Sequence, residues 1–457
     1  MKTITAFLAE FVANLEFETL PQAVIESAKI GVQDVTGCML GGVSEPAGDL
    51  VISHVRSLGG RPEATIVGTA VRSAPPLSAL ANGTTAHALD FDDTLWTYVG
   101  HVSASVWPAV MAVGEPAGIS GAAALAAYVA GVEVASAVGK LGYPEQVRRG
   151  WHGTGTVNTL GSAAAAGHVL RLTPGQMSHA LGIAVSHAAG AQVNIGTMTK
   201  PLHAGRAARD GVTAAMLAKD GFTSAPEAIT AQSGFLDLFG GAECVEERSK
   251  EIAENLGKEF SLVSPGLAFK AYAACACTHP ALDALLELRE QHHLKAEEVK
   301  EIVCGLTPYS QSQLQYQIPP DGLAGKFSAP YTLAVALLDG TAGLEQFDAE
   351  RISDSRLQEL MRRVHVCNLS EMHSEPDVPL TAAAIRVRRK DGSALEKFVD
   401  RPLGDPAKPL GEDALRGKFE QCAIRVLPQE KVEGALDTLA NLPELSTIGE
   451  LIRRLVP

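Results

Sequence analysis

The stretch that most restricts the fold of this chain is GISGAAALAAYVAGVEVASAVG, residues 118–139, which is long, small and apolar with helical spacing. It shows almost none of the β-branched alternation that a strand requires. Small side chains let neighbouring helices approach each other closely. The stretch therefore predicts a buried helix among other helices, and similar Ala-, Gly- and Leu-rich sequence continues to about residue 264.

The character of the sequence changes from about residue 265. VKEIVCGLTPY (299–309) and VHVCNLS (364–370) are strand candidates, and AAAIRVRRKDGSALEKFVD (382–400) predicts a hairpin. The turn chemistry of this hairpin comes from Lys-Asp-Gly at 390–392. We therefore expect an α+β segment after a helical one.

The length of 457 residues exceeds what one hydrophobic core usually organises, so two domains are expected. After the Pro-rich link that ends at Asp413, amphipathic helices return and most simply rejoin the first domain. The predicted fold class is mainly α, with a large all-helical domain built from both chain ends and a smaller α+β domain. The predicted boundaries are 1–264 and 406–457 for the helical domain and 265–405 for the α+β domain.

Charge and composition exclude several classes of function. The net charge is −14 and the pI is about 5.4, and no long run of Lys or Arg exists, so a nucleic-acid partner is not expected. The amino-terminal stretch reads as an amphipathic helix, and no strongly apolar run is long enough to span a membrane. The seven scattered cysteines favour reduced thiols. We expect a cytoplasmic protein with no membrane partner.

Residues 82–101, NGTTAHALDFDDTLWTYVGH, concentrate ionisable groups in an apolar neighbourhood. Asp90, Asp92 and Asp93 lie within four residues, and His101 closes the stretch. Three close carboxylates repel each other unless other groups organise them. The cluster as a whole therefore indicates a functional site.

Two other interpretations of this stretch exist. Asp92 or Asp93 can cap a helix while His87 packs in the core, which is the better interpretation for any single residue. A hard metal ion is the other interpretation, but it needs further carboxylates, and Leu89 and Phe91 make the stretch partly apolar. We expect no metal.

A second motif is RRGWHGTGTVNTLGSAAAAG, residues 148–167, with His152 in a turn rich in Gly and Thr. Glycines let the backbone approach a ligand, and the following helix can offer its amino terminus to an anion. The motif is not a phosphate loop, because no Gly-Lys-Ser/Thr follows.

A third motif is MTKPLHAGRAARDG, residues 198–211, where Pro201 suits a first helical turn. Lys200, His203, Arg206 and Arg209 form a basic concentration in an acidic chain. A solvated helix face with acidic partners is an equally good interpretation of Arg206 and Arg209. A lysine at the helix start suits proton transfer or capture of a carboxylate.

The fourth motif is FKAYAACACTHPAL, residues 269–282, at the expected domain junction. Lys270 and His279 are its candidates for a site. Nothing nearby marks an activated thiolate, so packing is the expected role of Cys275 and Cys277.

Together these motifs resemble the MmgE/PrpD family of 2-methylcitrate dehydratases, cis-aconitate decarboxylases and iminodisuccinate epimerase. The resemblance rests on NGTTAHALDFDDT, the later histidine, GWHGTGTVNTLGSAAAA, TKPLHAGRAARDGVTAAMLAKDGFT and FKAYAACACTHPALDAL, in order over most of the chain. It implies a helical domain formed by both chain ends, an α+β lid domain, a homodimer, and a site between the domains that uses no cofactor and no metal.

Position by position, the resemblance also implies a set of pocket residues. They are Asp90, Thr94, His101, His152, Lys200, Lys270 and His279. A lid tyrosine belongs to the pocket, and we place it at Tyr316, with Tyr309 as second choice. The chain departs from many relatives at Ala273, Ala274 and Cys275. Its spacer between Thr94 and His101 is also one residue longer than the spacer in those relatives.

The expected chemistry is acid and base catalysis at a carbon next to a carboxylate of a small polycarboxylate. Lys200, Lys270 and Arg206 are expected to hold substrate carboxylates, with His203, His279 and Thr94 as further binding residues. His101 with His152 or Tyr316 would act as base and acid. Asp90 would orient His101 and raise its basicity.

Within the family we expect an isomerase that epimerises iminodisuccinate, because the length and departures of the chain resemble that member most. The alternative is a lyase of the 2-methylcitrate dehydratase or cis-aconitate decarboxylase type. A non-catalytic dimeric binding protein with the same fold is an alternative of another class, and the presence of His101, His152 and Lys200 speaks against it.

Overall fold

The amino-terminal half of the chain is helical in the computed structural model, which describes residues 2–241, 243–348 and 350–457. Its helices are α1 Ile4–Asn14, α2 Gln22–Gly42, α3 Pro46–Leu58, α4 Pro75–Ala88, α5 Ser103–Ala117, α6 Gly121–Gly142, α7 Glu145–Arg148, α8 Gly153–Val169, α9 Pro174–His187, α10 Thr199–Lys219, α11 Phe235–Phe239 and α12 Val245–Asn255. A short antiparallel pair, β1 Ala64–Thr65 and β2 Arg72–Ser73, lies between α3 and α4.

Helix α6, which contains most of residues 118–139, lies in the core of this domain. Its length and hydropathy would also suit a membrane span, but 89% of its apolar window is buried inside the protein. A Cβ atom on Gly131 would lie 2.8 Å from the carbonyl oxygen of Gly161 in α8. Glycine at both positions therefore lets α6 and α8 pack backbone against backbone.

The crossing of α4 and α10 depends on glycine in the same way and positions the site described below. A Cβ atom on Gly83 would lie 2.7 Å from the Cα atom of Gly205. A Cβ atom on Gly205 would lie 2.2 Å from the carbonyl oxygen of Leu80. Because neither glycine carries a side chain, the carboxyl-terminal turn of α4 reaches the first turn of α10, where Lys200 lies.

The lid segment contains the sheet. Its helices and strands are α13 His279–Gln291, β3 Val299–Leu306, α14 Pro308–Gln313, α15 Gly322–Gly325, α16 Ala329–Asp339, α17 Ser355–Met361, β4 Val364–Asn368, β5 Ala383–Arg389 and β6 Ala394–Val399. The strand order is β4-β3-β5-β6, with β3 and β4 parallel and the other two pairs antiparallel. The predicted hairpin is present as β5 and β6, and α13 and α16 cover the sheet.

The chain returns to the helical domain through α18 Glu412–Ala423, α19 Gln429–Ala440 and α20 Gly449–Arg454. Phe419 of α18 is buried against α2, where a Cβ atom on Gly37 would lie 3.0 Å from its ring. The mainly α fold class with a small α+β part is confirmed. One hydrophobic cluster holds the helices of both chain ends, and a second holds the lid. The boundaries at residues 264 and 405 stay a prediction.

Candidate active site

Asp90 lies at the centre of a buried ionic cluster, just after the end of α4. Its φ of 51° is in the left-handed region, which aspartate tolerates better than most residues. Its Oδ1 atom lies 2.5 Å from Nζ of Lys200 and 3.1 Å from Nζ of Lys270. Lys270 also donates to the main-chain oxygen of Asp90 at 2.7 Å. Burial raises the pKa of Asp90, but the two ammonium groups outweigh it and hold the pKa well below its usual range.

Lys200 is also linked to Asp92 through His87. Nζ of Lys200 lies 2.8 Å from Nε2 of His87, and Nδ1 of the same ring lies 2.8 Å from Oδ1 of Asp92. An ammonium has only protons to donate, so Nε2 is the acceptor and Nδ1 carries the proton that Asp92 accepts. Burial and the charge of Lys200 lower the pKa of His87, against the opposing effect of Asp92. His87 is therefore neutral in this cluster.

His101 is held by its Nδ1 atom, which lies 2.8 Å from the carbonyl oxygen of Asp93 and 3.5 Å from Oδ2 of Asp92. Both neighbours are acceptors, so Nδ1 carries the proton and Nε2 keeps its lone pair. Burial and the charge of Lys270 lower the pKa of His101 well below its usual value. The expectation that Asp90 orients His101 is wrong, because Asp90 binds the two lysines.

His152 is the residue before α8, and its ring is held by another histidine. Its Nδ1 atom lies 3.0 Å from Nδ1 of His203, so one of the two rings donates to the other. Its main-chain N–H donates to the carbonyl oxygen of Gly190 at 2.9 Å. Burial and Lys200 lower the pKa of His152 well below its usual value. His203 therefore positions His152.

Asp93 points away from the lysines and into the helical core. Ser103 at the start of α5 donates to it through both its hydroxyl group and its main-chain N–H. Burial, together with the charge of Asp34, raises the pKa of Asp93 to about 8. Its carboxyl group therefore keeps its proton at neutral pH, while its carbonyl oxygen holds His101.

A cavity of about 50 Å³ lies between the helical domain and the lid, over this cluster. Its wall contains six of the predicted site residues: Asp90, Thr94, His101, His152, Lys200 and Lys270. Oδ2 of Asp90 and Oγ1 of Thr94 are buried without a hydrogen-bond partner among the described residues. Buried polar atoms are normally paired, so these two atoms mark positions for ligand contacts.

Four predicted site residues do not line this cavity. Arg206 donates to the carbonyl oxygens of His187, Gly155 and Ala189 and to Asp210, so both of its terminal NH₂ groups are used in holding the backbone around α10. The expectation that Arg206 holds a substrate carboxylate is therefore corrected. His203 lies behind His152, where it serves as a support and not as a substrate ligand.

His279 and Tyr316 also lie off the cavity wall. The buried ring of His279 contacts the carbonyl oxygen of Ala274 at 3.2 Å, and burial with the charge of Lys270 lowers its pKa to about 3. Tyr316 packs its ring against Gly196. Tyr309, the second choice from the sequence, lines the cavity in place of Tyr316.

The sequence interpretation missed several residues of the site. Asp92 and His87 were assigned to capping and packing, yet they hold His101 and Lys200. Cys275 and Cys277 were assigned to packing, yet both line the cavity. The remaining lining residues without a predicted role are Trp96, Val99, Val147, Trp151, Gly153, Gln192, Ile195, Ala276, Gln313 and Phe327. The spacing of His87 and Asp92, five residues apart around a helix end, is the one signal that pointed to their contact.

The histidines also invite comparison with a metal centre. Ligand nitrogens of His87, His101 and His152 lie within 4.8 Å of one another, as three histidines do around zinc. Nζ of Lys200, however, already donates to the available nitrogen of His87. A cation there would face an ammonium at hydrogen-bond distance, so the donor set suits an anion better than a metal.

The lid is tied to the Asp90 loop by Lys326, a buried lysine. Its Nζ atom donates to the carbonyl oxygen of Leu89 at 2.6 Å, across 237 residues of sequence. The next residue, Phe327, lines the cavity and places its ring 5.2 Å from Nζ of Lys200. Burial lowers the pKa of Lys326. The lid therefore closes directly over the ionic cluster.

A larger surface cleft of about 270 Å³ lies near Glu133, Lys140 and Arg248. The carboxylate of Glu133 already accepts from the main-chain N–H groups of Ser261 and Leu262 at 3.0 and 3.3 Å. Arg248 donates to main-chain carbonyl oxygens. Glu133 and Arg248 therefore stabilise the fold around this cleft.

Two family models cover most of the chain. The MmgE/PrpD N-terminal domain matches residues 6–248, and the MmgE/PrpD C-terminal domain matches residues 272–443. Three curated relatives are cis-aconitate decarboxylases. The human protein is 29% identical over 464 residues (97% of this chain, 93% of the relative), and the mouse protein is 27% identical over 470 residues (100% and 94%). The Aspergillus terreus protein is 26% identical over 472 residues (99% and 96%).

Proposed function

The chain belongs to the MmgE/PrpD family, which contains dehydratases and decarboxylases of small carboxylates, and from this premise we propose that it is a lyase that decarboxylates cis-aconitate. The observation that carries the proposal is the pair of buried ammonium groups, Lys200 and Lys270, on one carboxylate in the cavity wall. The relatives described above favour this lyase over the epimerisation of iminodisuccinate that the sequence suggested.

Carboxylate binding is the role proposed for the two lysines. Each ammonium has three protons. Lys200 uses two of them on Asp90 and His87, and Lys270 uses two on the carboxylate and carbonyl oxygens of Asp90. Each lysine is thus left with one proton for a substrate oxygen, held in a fixed direction by its other contacts. Such charge-assisted hydrogen bonds are among the strongest that a protein offers.

The reaction needs a stabilised electron pair and one proton. The bond between the saturated methylene carbon and its carboxylate breaks, and CO₂ leaves. The electron pair of that bond forms a new double bond to the central carbon, while the electron pair of the old double bond moves to the carbon that carries the vinylic hydrogen. The charge is then shared with the carboxylates that the lysines hold. A proton binds to the carbon that carried the vinylic hydrogen, and the product is methylenesuccinate. The trianion therefore takes up one proton as it becomes a dianion and CO₂.

His101 is the proposed proton donor in the substrate complex. In the free protein its pKa is lowered by burial and by Lys270, so it is neutral. A bound trianion offsets the charges of Lys200 and Lys270, which removes part of the cause of that low pKa. His101 would then gain a proton at Nε2 as the substrate binds and give it to carbon. His152 and Tyr309 also line the wall and are the alternative candidates for this donor.

Substrate entry requires the lid to move. A cavity of about 50 Å³ holds one or two water molecules, whereas ligand pockets usually measure about 300–1,000 Å³. Tyr309, Gln313 and Phe327 lie on the lid side of the wall, and Lys326 fastens the lid to Leu89. We therefore assign the closed geometry to the state in which water is excluded during catalysis.

A second candidate is dehydration of a hydroxy polycarboxylate. It is favoured by the unpartnered Oδ2 of Asp90, an acceptor that suits a substrate hydroxyl group and has no obvious partner on a fully ionised carboxylate. The neutral Nε2 of His101 would then act as base on the carbon next to a carboxylate.

A homodimer, a cytoplasmic location and a site without metal or cofactor stay proposals.

The test is an assay of the purified chain with cis-aconitate, 2-methylcitrate and iminodisuccinate in separate reactions. Release of CO₂ from cis-aconitate alone supports the decarboxylase. Loss of water from 2-methylcitrate would move the chain to the dehydratases, and interconversion of iminodisuccinate stereoisomers would restore the epimerase. Substrate binding without turnover of any of the three would favour the binding-protein alternative.

A further inference from the structure

We propose that the indole N–H of Trp96 is a specificity-determining donor, which binds the substrate carboxylate that the two lysines do not hold. The inference rests on the proposed function, because it counts the carboxylates of the substrate. It assigns a role to the segment between Thr94 and His101.

Trp96 lines the cavity, and its Nε1 atom is buried without a hydrogen-bond partner among the described residues. A buried indole N–H usually finds an acceptor. Trp107 shows this, since its Nε1 atom donates to Oγ1 of Thr36 at 3.1 Å. Leaving a buried donor unpaired costs stability, so the orphaned N–H of Trp96 indicates an acceptor that arrives with the ligand.

A second observation comes from the turn that carries Trp96. Leu95 and Gly100 close this turn with two main-chain hydrogen bonds of 2.8 and 3.2 Å. Val99 within it has a φ of 58°, which is an outlier for a β-branched residue. Such backbone strain persists only where the surrounding structure imposes it, and it is frequent at ligand sites. Val99 also lines the cavity, so the strained turn presents both side chains to the ligand.

The side chain of Tyr98 holds this turn in place. Its ring is buried, and its hydroxyl group donates to Oδ1 of Asn158, whose amide donates to the carbonyl oxygen of His101 at 2.8 Å. A Cβ atom on Gly139 would lie 2.5 Å from that of Tyr98, so α6 packs directly beneath it. The indole is therefore presented by a rigid support that is shared with His101.

The donors of the cavity differ in charge, and this difference suggests how the substrate is oriented. Lys200 and Lys270 supply ammonium protons, whereas Trp96 and Thr94 supply neutral donors that have no partner within the described ranges of the chain. The hydrogen bonds from the ammonium groups to the carboxylates within their reach are stronger than those from neutral donors. A neutral N–H that is buried at the cavity wall still requires an acceptor. A tricarboxylate satisfies both sets of donors, and a dicarboxylate leaves one set unpaired.

The test compares three unreactive ligands by calorimetry. Tricarballylate carries three carboxylates, glutarate lacks its central one, and 2-methylsuccinate lacks a terminal one. The variant Trp96→Phe removes the N–H and keeps an aromatic ring. Trp107→Phe is the matched control, because it removes a paired indole N–H outside the cavity.

We expect the wild type to prefer tricarballylate to at least one dicarboxylate. Trp96→Phe should weaken tricarballylate binding by about 10-fold or more, as for a lost hydrogen bond to a charged group. It should leave the affinity of the dicarboxylate that lacks the contacted carboxylate unchanged within about twofold, and Trp107→Phe should keep the wild-type preference. Equal weakening of all three ligands by Trp96→Phe, or no weakening, would overturn the proposal.

A measurement on the wild type covers the case in which Trp96→Phe does not fold. With ¹⁵N-labelled indole groups, the Nε1–H resonance of Trp96 should move downfield with tricarballylate and stay in place with the dicarboxylate that lacks the contact. No movement with tricarballylate at saturation contradicts the inference. If the chain shows this shift but releases no CO₂ from cis-aconitate, the proposal for Trp96 stands and the proposed reaction is wrong.

Discussion

Nζ of Lys200 lies 2.8 Å from Nε2 of His87, on a ring whose other nitrogen contacts Asp92. The histidine therefore gives the lysine a neutral acceptor and leaves its charge intact, while Asp90 supplies the counter-charge. This geometry fixes the direction of the remaining ammonium proton. A lysine held in this way is preorganised for a carboxylate of the substrate.

Lys200→Met should lower kcat/KM for cis-aconitate by at least about 10-fold, because it removes a charge-assisted hydrogen bond in a buried site. Lys219→Met is the matched control, since Lys219 is exposed at the other end of the same helix. Steady-state kinetics of both variants, with circular dichroism to check folding, measure the effect. Equal kinetics of the two variants would remove Lys200 from the site.

His101→Gln should lower kcat by about 10²–10⁴-fold, the usual contribution of a general acid or base. Glutamine can still donate a hydrogen bond to the carbonyl oxygen of Asp93, so the fold should persist. His54→Gln, at an exposed position of α3, is the control. An activity that His101→Gln leaves within about threefold of the wild type would exclude His101 as the proton donor.

The pH dependence of kcat/KM tests the same residue. Because the pKa of His101 is well below its usual value, His101 in the free protein is neutral over the whole neutral pH range, with a proton on Nδ1 and none on Nε2. If the reaction takes up that proton, log kcat/KM should rise by about one unit per pH unit as the pH falls from 8 to 7. A flat profile over this range would show that no proton is taken up before the rate-limiting step.

Tyr309→Phe and Tyr316→Phe separate the two lid tyrosines. Tyr309 lines the cavity, whereas Tyr316 packs against Gly196. We expect Tyr309→Phe to reduce kcat/KM by about 10-fold or more and Tyr316→Phe to change it by less than about threefold. If Tyr316→Phe reduces kcat/KM more than Tyr309→Phe does, the lid of the substrate complex places Tyr316, and not Tyr309, against the substrate.

Asp93→Asn should change how stability depends on pH. The pKa of Asp93 is raised from 3.8 to about 8, so between these values the folded state keeps a proton that the unfolded state releases. This contribution to stability is fully present below pH 3.8 and is lost as the pH rises through about 8, by up to about 1.4 kcal/mol per pH unit. Asparagine has no such proton.

The free energy of unfolding of Asp93→Asn should therefore improve relative to the wild type as the pH rises from 5 to 8. Urea denaturation at pH 5, 6.5 and 8 measures the difference between the two proteins, in which the other titrating groups cancel. Asp220→Asn, at an exposed position, should show no such trend. A difference that does not vary with pH would mean that Asp93 is ionised in the folded protein.

The sequence predicted the parts of the fold that local patterns determine. The Lys-Asp-Gly turn joins β5 to β6, as expected. The mainly α class followed from the Ala- and Gly-rich helices. These features depend on neighbours within a few residues, which periodicity and turn chemistry report directly.

Parts of the site depend on contacts between distant segments and could not be predicted in this way. The link from His87 to Lys200 exists because Gly83 and Gly205 let α4 and α10 touch, and no local pattern of charges shows that crossing. Helical geometry alone argues against placing Arg206 in the same site as Lys200. Six residues turn a helix by roughly 600°, so Arg206 faces about 120° away from Lys200.

The most direct test of the central claim is proton NMR of the purified chain with cis-aconitate in D₂O, with no metal added. We predict methylenesuccinate that carries one deuterium on its saturated methylene carbon, with release of CO₂, and loss of this signal in Lys200→Met. Unchanged cis-aconitate, together with deuterium exchange and interconversion of iminodisuccinate stereoisomers in a parallel sample, would contradict the decarboxylase and support the epimerase.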